Sequence, residues 1–199
     1  VQFSGGSVWI GLLGALVIGA LYSAIFGLFV TKFKADNIIA SLAMNTLGAG
    51  LTSYLLRAMF DVQGAYAPDN IEKLSMIEIP IIKDIPILNC ISGQSIVTYF
   101  AVILMVAIYI MLFKTKTGLG ICAVGESDVA ARTAGIKPEI VKWKVVLLSG
   151  ALSGLAGAYL SIISVSQFSE DMVQGRGFTA FTIYVFGASH PIYASLVSL

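Results

Sequence analysis

VVLLSGALSGLAGAYLSIISVSQFS, residues 145–169, carries no charge from end to end. As a helix it rises about 37 Å, enough to cross a hydrocarbon core about 30 Å thick. Four further runs lack charge: 1–31, 37–56, 85–113 and 177–199. Across 199 residues, 57% are apolar and only 12% charged, with a mean hydropathy of +0.90. A soluble domain carries roughly 25% charged residues, so the chain is a membrane protein. Its net charge of +1 and scattered basic residues exclude a nucleic-acid-binding patch.

The runs predict an all-α, polytopic transmembrane helical bundle, with spans over about 8–30, 37–56, 95–113 and 145–168. The third span starts at Ser92 or Ser95, because Pro86 and the SGQS tetrapeptide suit a helix start better than its middle. The first run has no basic n-region and is too long for a cleaved signal peptide. The chain begins at Val1 without a Met and stops inside an apolar run, which reads as a fragment of a longer protein.

Orientation follows from Lys and Arg near the helix ends. Lys32 and Lys34 follow the first span, and Lys114, Lys116, Arg132, Lys137, Lys142 and Lys144 surround the third connection. Between them, 57–92 has Arg57, Lys73 and Lys83 against Asp61, Asp69, Glu72, Glu78 and Asp84. Segments 31–36 and 114–144 are therefore expected in the cytoplasm, and 57–92 as an extracytoplasmic loop. That order agrees with alternating crossings of the plasma membrane. Cys90 and Cys122 then fall on opposite sides of the bilayer and cannot pair. With His190 as the one histidine, no metal-ligand spacing exists.

Small residues recur in the fourth span. Ser149, Ser153, Gly157 and Ser161 form one row, and Gly150, Gly154 and Ala158 the next. Such rows let helix backbones approach closely, or they line a translocation path; both readings stand. Asn45 and Thr46 in the second span are path candidates together with Ser149 and Ser153, since an amide in lipid needs a partner. A hydrogen bond between helices satisfies Asn45 equally well.

The last run, GRGFTAFTIYVFGASHPIYASLVSL (175–199), has Gly187, Ser189, His190 and Pro191 in its middle. Pro suits a first helical position, with Ser189 or His190 as the cap. This predicts a half-helix over about 178–186, a broken or re-entrant arrangement, and the start of another helix over about 191–199. A kinked spanning helix is the alternative. Broken helices recur in transport proteins where protein or water covers the irregular backbone.

Between the third and fourth spans lies GESDVAARTAGIKPEIVKW, residues 125–143, the longest polar stretch. Asp128 or Ser127 can cap a helix that includes Val129–Ala134, with Gly135 ending it and Pro138 starting the next. The product is a short helix across the membrane face, suited either to docking on another protein or to acting as a solvated connection.

GESDVAARTAGIKPEIVKWKVVLLSGALSGLAGAYLS (125–161) resembles the loop and following helix of ABC importer permeases, in the class that moves ribose, other simple sugars, nucleosides and branched-chain amino acids. Gly125, Ala130, Ala131, Ala134, Gly135 and Ile136 match that class's pattern, whereas Val129 stands where the wider permease motif has Glu. GRGFTAFTIYVFGASHPIYASL resembles the next block of the class, with Tyr193 and Ser195 in place of small glycines. KADNIIASLAMNTLGAGLTSYL (34–55) is similar to the nucleoside branch, through Asp36-Asn37-Ile38-Ile39 and Asn45.

The resemblance implies a multi-pass transport subunit with no catalytic residues of its own, translocating a neutral polar solute such as a nucleoside or a simple sugar like ribose. Gly125, Glu126, Asp128, Ala130, Ala131, Arg132, Thr133, Ala134, Gly135 and Ile136 would form the coupling segment. Implied partners are cytoplasmic ABC ATPase subunits, a second permease (homo- or heterodimer) and an extracytoplasmic solute-binding protein. ATP and its Mg would be bound by the ATPase, since this chain has no G-x-x-x-x-G-K-[ST] loop. The alternative is an ion-coupled secondary transporter of a small polar solute. Against it, the predicted spans hold no Asp, Glu, Lys or Arg of the kind that usually carries ion coupling.

Overall fold

The computed structural model describes residues 8–61, 64–66, 96–164, 167–170, 172–187 and 190–197. The expected outer loop beyond Tyr66, with Cys90 and the alternative helix starts Ser92 and Ser95, lies outside them, as does Ser189. The chain divides into two compact units, one of Val1–Glu72 with Gly120–Gln174, the other of Lys73–Leu119 with Gly175–Leu199.

The first unit is built on α1 (Val8–Thr31), α2 (Asn37–Phe60) and α6 (Pro138–Ala158). These three helices are each long and apolar enough to cross a membrane. Their outward Leu, Ile, Val and Trp side chains, such as Trp9, Leu13, Ile18 and Ile38, are largely exposed. Such a surface suits lipid or a further helix, not water. Two caps punctuate the chain between α1 and α2. Lys34 takes a left-handed φ of 52°, and Asp36 accepts from the Ile38 and Ile39 amides at 2.8 and 3.2 Å. Asp36 thereby satisfies amide donors at the start of α2 that have no partner within the helix.

α1 and α6 pack backbone to backbone. A Cβ on Gly19 would lie 2.9 Å from the Gly154 Cα and closer still to the Gly150 carbonyl, and one on Gly150 would lie 2.7 Å from the Gly19 carbonyl oxygen. Where lipid offers no hydrophobic drive between helices, approach this close is what holds them together. Of the two small-residue rows in α6, the Gly150–Gly154 row takes this contact. Ser149, Ser153 and Gly157 remain exposed. α2 leans on α1, where the Tyr22 hydroxyl donates to the Met44 carbonyl and Met44 is buried.

α6 runs on into a single π-helical turn, Tyr159–Ser164, and then β2 (Phe168–Ser169), which pairs antiparallel with β1 (Ala65–Tyr66). The Glu170 amide donates to the Gly64 carbonyl at 2.8 Å, and Arg57 Nε lies 3.8 Å from a Glu170 carboxylate oxygen. This small tie joins the ends of α2 and α6. Four paired residues do not alter the all-α class.

In the second unit, α3 (Ile96–Lys114) packs against α8 (Pro191–Val197). The His190 ring lies 5.5 Å from that of Tyr109, 5.3 Å from Phe113 and 4.7 Å from Tyr193. α7 (Arg176–Phe186), eleven residues and about 16 Å long, ends at Gly187. A Cβ on Gly187 would come within 2.6 Å of the Ala194 amide nitrogen, so the chain breaks there with α8 pressed against it.

The 114–144 segment, where the sequence predicts a short helix including Val129–Ala134 and another from Pro138, holds a further helix ahead of both. α4 (Lys116–Glu126) follows α3 after a bend of 74° at Thr115. Thr115 turns the corner: its hydroxyl donates to the Met111 carbonyl and accepts from the Gly118 amide at 3.1 Å. A Cβ on Gly118 would strike the Met111 and Leu112 carbonyls. α5 (Asp128–Thr133) comes next, and α6 already begins at Pro138.

Candidate coupling surface and pathway face

Ser127, in extended conformation (φ −158°), separates α4 from α5 and caps α5, accepting from the Ala130 amide at 3.3 Å. Asp128 follows in the first turn, where a negative charge complements the helix dipole. The helix closes in a Schellman arrangement: the Ile136 amide donates to the Ala131 carbonyl and the Gly135 amide to the Arg132 carbonyl, each at 3.0 Å. Gly135 supplies the left-handed residue, with φ of 79°. Pro138 then opens α6, where its missing N–H costs nothing.

Two ion pairs fasten α5 to the start of α6. Lys142 Nζ reaches Asp128 Oδ2 at 2.5 Å, and Arg132 pairs with Glu139. Beneath them Ala131, 1% exposed, and Pro138 are buried. The opposite face presents Val129, 73% exposed, with Ala130, Thr133 and Ala134. The Thr133 hydroxyl is turned inward to its own helix, donating to the Ala130 carbonyl at 2.8 Å.

Of the sequence-derived coupling residues, Gly125, Glu126, Ala130, Arg132, Thr133, Ala134 and Gly135 are exposed, while Asp128 and Ile136 are half-buried. Ala131 faces the chain and packs α5 in place. Val129, Glu139 and Lys142 belong to the same construction and were absent from the sequence-derived set. Val129 carried a signal, an apolar side chain within the longest polar stretch.

The pathway candidates lie on two helices of the first unit. Asn45 and Thr46 sit on an exposed face of α2, and the Thr46 hydroxyl donates to the Leu42 carbonyl at 3.1 Å. Ser149 and Ser153 sit on the flank of α6 beside its contact with α1. Among the described residues no group of His, Cys, Asp and Glu could hold a metal ion, and Cys122 is exposed and unbonded.

Residues 1–199 match throughout the family described as the branched-chain amino acid transport system/permease component. The chain is 32% identical over 200 residues to the nucleoside ABC transporter permease protein NupC of Lactococcus lactis, aligning 100% of itself with 62% of that protein. It is 33% identical over 198 residues to the guanosine ABC transporter permease protein NupQ of Bacillus subtilis, covering 97% of itself and 60% of the relative. Over 191 residues it is 25% identical to a putative glucose ABC transporter permease protein, TsgC13, of Haloferax volcanii, 94% of the chain against 56% of the relative. No solved structure matches. The chain thus spans about three fifths of the length of these relatives. It belongs to the permease family, as a multi-pass membrane protein.

Proposed function

We propose that this member of the family is the translocating subunit of an ATP-driven nucleoside importer, with α5 as the element on which a separate cytoplasmic ATPase acts. One observation carries the reading. A two-turn helix, capped at both ends and pinned to α6 by two ion pairs, holds an exposed face just before a membrane-spanning helix. A solvated connection has no use for such definition. A partner that closes on ATP would push on α5, and α6 together with the α1 backbone locked to it would follow. Only a contact that differs between two access states can shift their balance, and a rigidly mounted helix provides one.

Nucleoside is favoured as solute because the two relatives at about one-third identity are named for nucleoside and guanosine transport. An uncharged path of Asn45, Thr46, Ser149 and Ser153 suits a neutral polar solute. An extracytoplasmic binding protein would deliver it, and a second permease, a copy or a related chain, would complete the path. ATP and Mg belong to the ATPase.

The test has two parts. A photo-crosslinker at Thr133 in the full-length protein, irradiated in native membranes, should yield an ATP-binding subunit as its main adduct, altered by nucleotide. Transport that continues with no such adduct at Thr133 or its neighbours would refute the reading and favour ion coupling. Uptake of labelled guanosine should be competed by unlabelled nucleosides and not by ribose or glucose. Competition by the sugars alone would move the solute to that class.

A further inference from the structure

We propose that the end of the α1–α6 pair marked by Lys32 and Lys144 is a binding site for an anionic phospholipid. Lysine side chains hold the headgroup, and the Phe29–Phe33 pair meets the acyl chains.

Two uncharged runs fix the depth. Lys32 is the first charge after residues 1–31, and Lys144 the last before residues 145–169. The helices that carry these runs pack antiparallel, Gly19 against Gly150 and Gly154, and Gly27 against Trp143 and Val146. At 1.5 Å per residue Lys144 is about level with Gly27, and Lys32 lies about 8 Å beyond it. Both lysines therefore stand at one end of the pair, where apolar chain gives way to charge. That is the depth of a lipid headgroup. Lys34 follows in the turn after α1.

The charges at this end do not cancel. Asp128 holds Lys142, and Glu139 holds Arg132. Lys32, Lys34, Lys137 and Lys144 are exposed, and none has a carboxylate within ion-pair distance among the described residues. Two carboxylates remain, Asp36 and Glu126, and Asp36 already accepts from the Ile38 and Ile39 amides. Segments 31–36 and 120–149 together carry an excess of two positive charges.

An apolar wall accompanies the lysines. Phe33 stands between Lys32 and Lys34 in the chain, with Phe29 one turn earlier. They are 65% and 45% exposed, and their ring centroids are 5.9 Å apart. An acidic protein surface would match the lysines and leave these rings unmatched. A lipid matches both, with a phosphate diester for the ammonium groups and chains for the rings. Aromatic side chains gather at this depth of a bilayer, and lysines beside a span attract anionic headgroups.

The test uses the full-length permease with Trp143, half-buried beside Lys144, as its sole tryptophan. It is reconstituted in phosphatidylcholine vesicles, with rising fractions of brominated phosphatidylglycerol or brominated phosphatidylcholine as quencher. Phosphatidylglycerol should occupy the site about fivefold more readily than phosphatidylcholine. Raising NaCl from 0.1 to 1 M shortens the Debye length from about 10 to 3 Å and should cut the preference below about twofold. Lys32→Gln, Lys34→Gln and Lys144→Gln together should abolish it, while the three corresponding Arg changes keep it. Quenching of the Gln variant by brominated phosphatidylcholine should equal that of wild type, which shows Trp143 still at its depth. Equal quenching of wild type by the two lipids, or an undiminished preference in the Gln variant, would overturn the site. Loss of the preference in excess inorganic phosphate at constant ionic strength would also overturn it, since any phosphate would then serve. Loss on binding of the ATPase would give the lysines to that partner and overturn it equally.

Discussion

Gly19→Ala tests the backbone contact between α1 and α6. The added methyl would sit 2.9 Å from the Gly154 Cα and nearer still to the Gly150 carbonyl. Carbon atoms rest in contact at about 3.5–4.0 Å, so α1 and α6 must separate by roughly 0.6–1 Å, and both obstacles are backbone that cannot rotate away. A gap of that size forfeits about a quarter to a half of the dispersion attraction along the seam. Overpacking costs about 1–3 kcal/mol, offset by about 0.5–1 kcal/mol from replacing glycine inside a helix. The expected net is a loss of about 0.5–2 kcal/mol. Gly157→Ala on α6 is the control, with nothing within 4 Å of its new methyl, and should gain up to about 1 kcal/mol from helix propensity alone. The assay is reversible unfolding of the full-length protein in mixed micelles with rising dodecyl sulfate. Tryptophan fluorescence can report it, because Trp143 of α6 lies against Gly27 of α1. If Gly19→Ala proved as stable as Gly157→Ala, the two backbones are not in contact and the seam described here is wrong.

Three further expectations follow from single contacts. Tyr22→Phe removes the hydroxyl that donates to the Met44 carbonyl and should cost about 0.5–1.5 kcal/mol in the same unfolding assay; no change would mean that α2 is not tied there. Asp36→Ala should cost about 1 kcal/mol by removing the cap on α2, read as faster amide exchange at Ile38 and Ile39 with the rest of α2 unaffected. For the pair Asp128 and Lys142, both 45% exposed, a double-mutant cycle with Asp128→Asn and Lys142→Gln should return less than about 1 kcal/mol of coupling. A value above 2 kcal/mol would show that the pair is shielded from water in the assembled protein.

The long uncharged runs made the membrane-spanning helices legible, because crossing a bilayer imposes a length and a composition that few other constraints can mimic. α4 was hidden for the opposite reason. Gly118, Gly120 and Gly125, with Lys116 and Thr117, dilute the apolar period of Leu119, Ile121 and Val124 until it reads as a polar connection. Both small-residue rows of α6 were visible, but neighbouring rows differ by only about 100° around the axis. Only α1, more than a hundred residues earlier, decides that the glycines and not the serines are covered. The cap and stop of α5 could be read locally, with Ser127 and Asp128 as competing caps; the structure assigns Ser127. Its ion pairs could not be read, because the Gly-Ile-Lys-Pro turn breaks the helix between the partners, so separations of 7 and 14 residues no longer mark one helix face. The β1–β2 tie, two residues on each side, left no pattern to find.

The Gly19 seam also sets an order for biosynthesis. Its partners Gly150 and Gly154 leave the ribosome some 130 residues after Gly19, about 7–26 s later at ordinary rates of about 5–20 residues per second. Throughout that interval the grooved side of α1 has no α6 to receive it, and the insertion machinery or lipid must shield it. Ribosome-stalled chains ending before and after residue 180 would expose this wait as a cross-link from Ala15 to the insertase that vanishes in the longer chain. The contact between α1 and α6 therefore cannot form until α6 has left the ribosome, and α1 spends that interval as an orphan.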